Sequence, residues 1–205
     1  MTNIFYNQED RTKTNRRHLP HWQQSGKLYF VTFRLDDSIP VNKLKELYKQ
    51  QQVFIAKNPQ PYNQQQQKQY NYLFNEKINI WLDNCYGQCL LAQEELASIV
   101  QNAIEYFEYK KYILDHWVIM PNHVHIIILL LENFTLNKIL HSWKSYTARE
   151  INKATNRTGQ LWQHESFDHI VRSPIYLQKY REYIIKNKDK AGDKALLSTS
   201  SIPLD

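Results

Sequence analysis

Met120-Pro121-Asn122-His123-Val124-His125-Ile126-Ile127-Ile128-Leu129-Leu130-Leu131 sets two histidines, one hydrophobic residue apart, at the mouth of a strongly apolar run. A strand alternates faces with period two, so on a strand His123 and His125 point the same way, with α-carbons roughly 6–7 Å apart. Val124 then packs into the core behind them. The Pro121-Asn122 step reads as a turn, and the apolar run after the histidines reads as a buried central strand. Two imidazoles at the start of an otherwise polar-free strand are costly unless something satisfies them. A metal ion, a phosphate or acidic side chains would each do so.

Working outward, Tyr112 to Met120 reads as a strand that pairs with the histidine strand through that turn. Leu28 to Leu35 is a third strand, β-branched and aromatic. Val41 to Ala56 and Asn71 to Asn84 read as helices around the low-complexity run Gln64-Gln65-Gln66-Gln67, a solvated insertion spanning about 41–84. Gln93 to Tyr109 is a further helix. Thr135 to Ala154 is an amphipathic helix burying Leu136, Ile139, Leu140, Trp143, Thr147 and Ile151. A short strand lies around Phe167 to Val171. Ser173 and Pro174 then read as the N-cap and first residue of a last helix that Gly192 ends. This order predicts an α+β fold with a mainly antiparallel sheet. The domain plan is a basic arm over residues 1–20, a single domain over 21–194 and a mobile tail over 195–205.

With 205 residues and 42% hydrophobic residues, the chain can bury a sizeable core. Only 4 glycines are present, and neither GxGxxG nor a P-loop occurs. The net charge of +6 is concentrated: residues 135–194 hold 12 Lys and Arg against 6 Asp and Glu, a surplus equal to that of the whole chain. A basic, aromatic-rich half favours a polyanionic partner. Cys85 and Cys89 cannot make a four-cysteine zinc site and read as reduced cytosolic thiols. The polar N-terminus lacks an apolar signal core. No 18-residue apolar stretch exists, so no membrane partner is expected. These features predict a cytoplasmic, nucleoid-associated protein.

The last helix carries the second chemical element. Tyr176, Tyr180, Tyr183, Ile184 and Asn187 share one face, and Tyr183 and Asn187 stand one above the other, four residues apart. If this face packs near the start of the histidine strand, Asn187 can give an amide oxygen to a metal bound by His123 and His125. Tyr183 then hangs beside that metal, and a phenol can attack a metal-polarised phosphodiester. A tyrosine-rich core face is the competing reading of the same helix.

Together these blocks resemble the REP-associated tyrosine transposases, single-tyrosine HUH endonucleases of the single-strand insertion-sequence type. The resemblance rests on Arg16-Arg17-His18-Leu19-Pro20-His21-Trp22 and Tyr29-Phe30-Val31-Thr32-Phe33-Arg34-Leu35 near the start. In the middle it rests on Trp117-Val118-Ile119 leading into the Met-Pro-Asn-His-Val-His block, and on His141-Ser142-Trp143-Lys144-Ser145-Tyr146-Thr147-Ala148. Towards the end it rests on Leu161-Trp162-Gln163, Glu165-Ser166-Phe167-Asp168-His169 and Tyr183-Ile184. It implies a ferredoxin-like antiparallel sheet with helices packed on it. It also implies His123, His125 and Asn187 as ligands of Mg²⁺ or Mn²⁺, and Tyr183 as the nucleophile. The implied reaction cleaves single-stranded DNA near a hairpin through a 5′-phosphotyrosine link. The expected assembly is a monomer or a homodimer.

One departure stands out. Relatives usually carry proline directly after the residue matching Asn187, and here it is Lys188, which lets the helix run another turn. His164, Glu165 and His169 are then alternative contributors to the site. For DNA contacts the candidates are Arg16, Arg17, His18, Lys144, Arg149 and Arg172, with Trp22 or Trp162 stacking on an unpaired base. A histidine-triad hydrolase needs a third alternating histidine, where this chain has Ile127. A two-histidine phosphoesterase needs two His-x-Thr/Ser repeats, which are absent. A domesticated, non-catalytic hairpin-DNA binder remains as the alternative.

Overall fold

The computed structural model of the chain describes residues 3–16 and 20–203, and the side chains of these except at positions 14–16, 20, 21 and 75. In chain order the elements are β1 (Lys13–Arg16), β2 (Pro20–Gln23), β3 (Leu28–Arg34), α1 (Val41–Lys57), α2 (Gln64–Asn71), α3 (Lys77–Asp83), α4 (Glu94–Glu105), β4 (Tyr112–Ile119), β5 (His123–Leu130), α5 (Leu136–Ala154), β6 (Phe167–Ile170), α6 (Pro174–Ala191) and β7 (Leu196–Thr199). They fall into two compact units, Met1–Asp36 with Leu90–Asp205, and Asp37–Cys89.

The first unit is built on a five-stranded sheet in the order β6-β3-β5-β4-β7, every neighbouring pair antiparallel. Reading β3, α4, β4, β5, α5 and β6 in sequence gives strand, helix, two strands, helix, strand, with the fourth strand beside the first and the third beside both first and second. That is the ferredoxin-like order, as the family resemblance implies. All seven residues of β3 are buried, because it is sandwiched between β5 and β6 and covered on both faces.

The period-two alternation divides the core. Val124, Ile126, Ile128 and Leu130 face a large cluster with Leu96, Val100 and Ile104 of α4 and Leu136, Ile139, Leu140, Trp143 and Ile151 of α5. Leu28, Phe30 and Ile127 face a second cluster with Leu177 and Ile184 of α6. The buried stripe expected for α5 is the one observed, Thr147 included. The Thr147 hydroxyl donates to the Trp143 carbonyl at 2.7 Å and accepts from Trp162 Nε1 at 2.8 Å.

In β4 the register shifts between Leu114 and Trp117. This bulge keeps Tyr112, Leu114, Trp117 and Ile119 in one cluster, although Leu114 and Trp117 are three residues apart. It also re-aims Asp115. Asp115, wholly buried, receives Nε and Nη2 of Arg181 from α6 at 2.9 and 2.6 Å and the backbone N–H of Ile202 at 2.9 Å.

Two expectations need correction. The mobile tail is instead tied down: β7 pairs with β4 over residues 196–199, and Ile202 joins the core. It covers a sheet edge that would otherwise be open. The described residues of the N-terminal arm are also held. β1 pairs with β2, and Gln24 Nε2 donates to the Asn7 carbonyl at 2.6 Å and to Thr12 Oγ1 at 2.9 Å. Ser173 does occupy the N-cap of α6, with Pro174 following, but its side chain makes no capping bond.

The second unit holds α1, α2 and α3. The glutamine run is helical because Asn63 and Gln66 close a capping box at the start of α2. Phe54, Tyr62, Tyr70 and Phe74 pack ring against ring beside it. Gly87 sits at φ +84°, and a Cβ there would stand 2.6 Å from the backbone oxygen of Asp37, so only glycine fits. Among the described residues no helix is long and apolar enough to cross a membrane.

Candidate active site

His123 and His125 open β5 and are each 1% exposed. Both point at the α6 face, and their Nε2 atoms stand 2.9 Å apart. Each ring is fixed through its other nitrogen. Nδ1 of His123 lies 2.7 Å from Asn122 Oδ1. An amide oxygen only accepts, so the proton sits on Nδ1 and the lone pair of Nε2 faces His125. Nδ1 of His125 lies 2.7 Å from Thr32 Oγ1. The Thr32 hydroxyl can donate or accept, so it supports either tautomer of His125. Asn122 and Thr32 were not singled out in the sequence. Asn122 sits inside the quoted motif, and Thr32 is marked only by the β3–β5 register, where it is the partner of His125.

Burial keeps both imidazoles neutral. It pushes His123 down to about 3, with help from the positive charges of Lys190 and Arg34. It also holds His125 well below the ordinary range, aided by His123 and Lys190. Neutral imidazole is the ligating form.

α6 brings the other two predicted residues. The phenol oxygen of Tyr183 lies 3.4 Å from His125 Nε2, and the two rings meet edge to face with centroids 5.0 Å apart. Phe30 organises this group. It stacks on His125 at 5.6 Å, stacks on Tyr180 at 4.4 Å and meets Tyr183 edge-on at 5.9 Å. Tyr180 is thereby committed to the core, and Tyr183 is left beside the histidines.

Asn187, one turn further on, is 0% exposed. Its Nδ2 donates to the Tyr183 carbonyl at 2.8 Å, and its Oδ1 is buried with no hydrogen-bond partner among the described residues. An orphaned buried amide oxygen costs about 1–3 kcal/mol, and a cation would satisfy it. Two imidazole nitrogens in neighbouring positions on one ion, at about 2.0–2.1 Å from it, are separated by about 3 Å, which matches the observed pair. The donor set therefore fits a divalent ion.

The Lys188 departure does extend α6, which runs to Ala191. The extension leaves Asn187 buried, and the Lys188 ammonium donates at 2.7 Å to the carbonyls of both Gly192 and Ala195. His164, Glu165 and His169 do not join the pair: among the described residues no three His, Cys, Asp or Glu side chains cluster at metal-binding distance.

The DNA-contact candidates are scattered. Arg17 and His18 lie outside the described residues, as does the side chain of Arg16. Lys144 turns inward, donating to the Gln163 and His164 carbonyls at 3.0 and 3.3 Å and to Ser166 Oγ at 2.6 Å. Arg149 pairs with Glu150 at 2.9 Å and lies over the Tyr146 ring. Arg172 lies over Tyr6. Trp162 is core, 4% exposed, which removes it as a stacking platform, whereas Trp22 is 44% exposed.

Thr32→Val removes the partner of His125 Nδ1 at nearly constant volume. Loss of such an orienting contact is expected to weaken divalent-ion binding by about 10–100-fold. Isothermal titration calorimetry with Mn²⁺ in the presence of DNA checks this.

A family model described as IS200-like transposase matches residues 78–188. No curated protein matches the chain. Among solved structures, that of a REP-associated tyrosine transposase bound to a REP hairpin aligns with a TM-score of 0.45 and 15% identity, covering 89% of this chain and 75% of that one. The segment matched by the family model is more than half of the sequence and contains His123, His125, Tyr183 and Asn187, and the chain belongs to the IS200-like transposase family.

Proposed function

We propose that this protein is a metal-dependent nicking and joining enzyme for single-stranded DNA near hairpins, of the REP-associated tyrosine transposase kind. The observation that carries the reading is the meeting of Tyr183 with the paired Nε2 atoms of His123 and His125. His123, His125 and Asn187 would hold Mg²⁺ or Mn²⁺, which when bound polarises the scissile phosphate and stabilises its developing charge.

The chain's own residues supply the rest. Phe30 and the hydrogen bond from Asn187 to the Tyr183 carbonyl hold the tyrosine turn against the sheet. The phenol oxygen of Tyr183 attacks phosphorus and gives up its proton. The bond to the 3′ oxygen breaks, and that oxygen takes a proton to become a free 3′-hydroxyl. The 5′-phosphotyrosine retains the bond energy, so a 3′-hydroxyl rejoins strands by the reverse attack without a nucleotide cofactor. The basic surplus of residues 135–194 suits a polyanionic partner.

Purified protein mixed with labelled hairpin DNA from the flanks of its own gene is expected to form a denaturant-resistant protein–DNA band with Mn²⁺ and none with EDTA. Tight hairpin binding without any adduct would move the reading to a non-catalytic hairpin binder.

A further inference from the structure

The inserted unit carries rings and ammonium groups in alternation. Lys77 Nζ lies 5.9 Å from the Tyr72 ring centroid and 5.3 Å from that of Trp81. Lys43 Nζ lies 5.5 Å from the Trp81 centroid and 4.6 Å from that of Tyr86. The order is therefore Tyr72, Lys77, Trp81, Lys43, Tyr86, with one ammonium bridging each pair of successive rings. Backbone geometry sets up this line. The Lys77 N–H bonds the Tyr72 carbonyl across a wide, five-residue turn, which brings Tyr72 beside Lys77, and Trp81 follows four residues on along α3. Such wide turns within helices recur at functional sites. Among the described residues the groups that hold both ammonium ions are neutral: the Tyr86 hydroxyl at 2.7 Å from Lys43, the Gln50 side-chain oxygen at 2.8 Å from Lys77, and the ring faces. Tyr72 is 43% exposed, and Trp81 and Tyr86 are half-buried.

Lysines that merely cover rings would leave Lys43 unexplained. It sits in the first turn of α1, which holds no acidic residue, and a cation there opposes the helix dipole. Single-stranded DNA offers the complement to both halves of the line: phosphates along a flexible backbone, and unpaired bases with exposed π faces. A duplex hides those faces in its stack, and an acidic peptide segment lacks them. We propose that Tyr72, Lys77, Trp81, Lys43 and Tyr86 form a second, sequence-tolerant contact for single-stranded DNA, made by residues of the inserted unit alone. Bases stack on the rings while the lysines meet the phosphates between them. Residues 37–89 hold 6 lysines against 4 acidic residues, so the attraction comes from this local line rather than from the bulk charge of the unit. That the nucleic acid is DNA rests on the function proposed above; that it is single-stranded rests on the rings.

Fluorescence anisotropy of the full chain with labelled oligo(dT) of about 16 nucleotides, without a hairpin and in EDTA, separates this contact from metal binding and strand cleavage. Lys43→Gln combined with Lys77→Gln should weaken binding at least about tenfold and lower the slope of log K against log salt by about 1.4, the loss of two phosphate contacts on a single strand. Tyr72→Ala should weaken binding about fivefold or more with the slope unchanged, and Tyr72→Phe, which keeps the ring face, should restore it. Tyr72 is exposed, so its variants keep the test valid if the double lysine variant fails to fold. Ultraviolet cross-linking to oligo(dT), mapped by peptide mass spectrometry, should place adducts within residues 72–86. No binding of oligo(dT), affinity unchanged in the lysine and Tyr72→Ala variants, equal affinity for a duplex of the same length, or cross-links confined to residues outside 37–89 overturns the contact. Tighter binding of oligo(rU) than of oligo(dT) overturns its assignment to DNA. The covalent adduct on a bare hairpin with Mn²⁺ should persist in all these variants; its absence from the unsubstituted protein overturns the proposed nicking function and leaves the contact standing.

Discussion

Tyr183→Phe is expected to abolish the proposed covalent protein–DNA adduct while leaving hairpin affinity within about twofold. The substitution removes only the phenol oxygen. The ring keeps its edge-on contacts with Phe30 and His125, and the long 3.4 Å approach of the hydroxyl to His125 Nε2 contributes little to stability. The attacking atom has no substitute in the side chain, so the rate of strand cleavage should fall by about 10⁴-fold or more, the scale seen when a nucleophile is deleted. Adduct formation on labelled hairpin DNA, resolved by denaturing electrophoresis beside an anisotropy titration, reads both quantities. An adduct that survives would transfer the role to another tyrosine. Tyr180 is stacked against Phe30, with burial pushing its phenol up, and Tyr146 lies beside Arg149 on α5. Neither has the contact to the histidine pair that Tyr183 has.

The reach of the sequence follows from which geometry is local. His-x-His on an apolar run predicts a shared face because strand period is two. Tyr183 and Asn187 predict a shared face because four residues nearly complete a helical turn. The stripe on α5 and the strand–helix order of an α+β, mainly antiparallel fold are legible for the same reason, whereas the ferredoxin-like strand order comes from the family resemblance. The partners of those residues are not local. Thr32 and Arg34 meet His125 and His123 only through the register of β3 on β5, which spans about 90 residues of chain and an inserted unit. Phe30 gathers His125, Tyr180 and Tyr183 through contacts between elements far apart in sequence. Residues 196–199 carry no strand signal strong enough to stand alone; they become a strand because β4 offers an edge. Lys144 lies outside the buried stripe and so reads as a surface cation, yet its ammonium holds the 163–166 loop. A hydrogen-bonded tether from a helix to a later loop leaves no periodic trace.

Removing the carboxylate of Asp115 should destabilise the fold more than any substitution at the active site. Asp115→Ala leaves the Arg181 guanidinium without its two carboxylate contacts and leaves the Ile202 N–H and His116 Nδ1 without an acceptor that lies at 2.9 and 2.8 Å. The Arg181 side chain is only 14% exposed. Breaking a buried pair by removing one partner costs about 3–5 kcal/mol, which urea denaturation followed by circular dichroism measures. Replacing both partners, Asp115→Ala with Arg181→Met, should cost less than the sum of the single changes, since no charge is then left buried alone. The same pair sets a pH dependence. Burial pushes the Asp115 carboxyl up, but hydrogen bonds from His116, Arg181 and the Ile202 backbone, with the charge of Arg181, bring it to about 2 from 3.8. A depressed folded-state value means that the unfolded chain binds the proton first. The contribution is therefore complete above pH about 4 and is lost as pH falls from there towards 2, a loss that Asp115→Ala should not show. Because Arg181 sits two residues before Tyr183 on α6, the variant should also cleave more slowly than its folded fraction accounts for. Full activity per folded molecule would show that the position of the tyrosine is set by Phe30 and Asn187 alone.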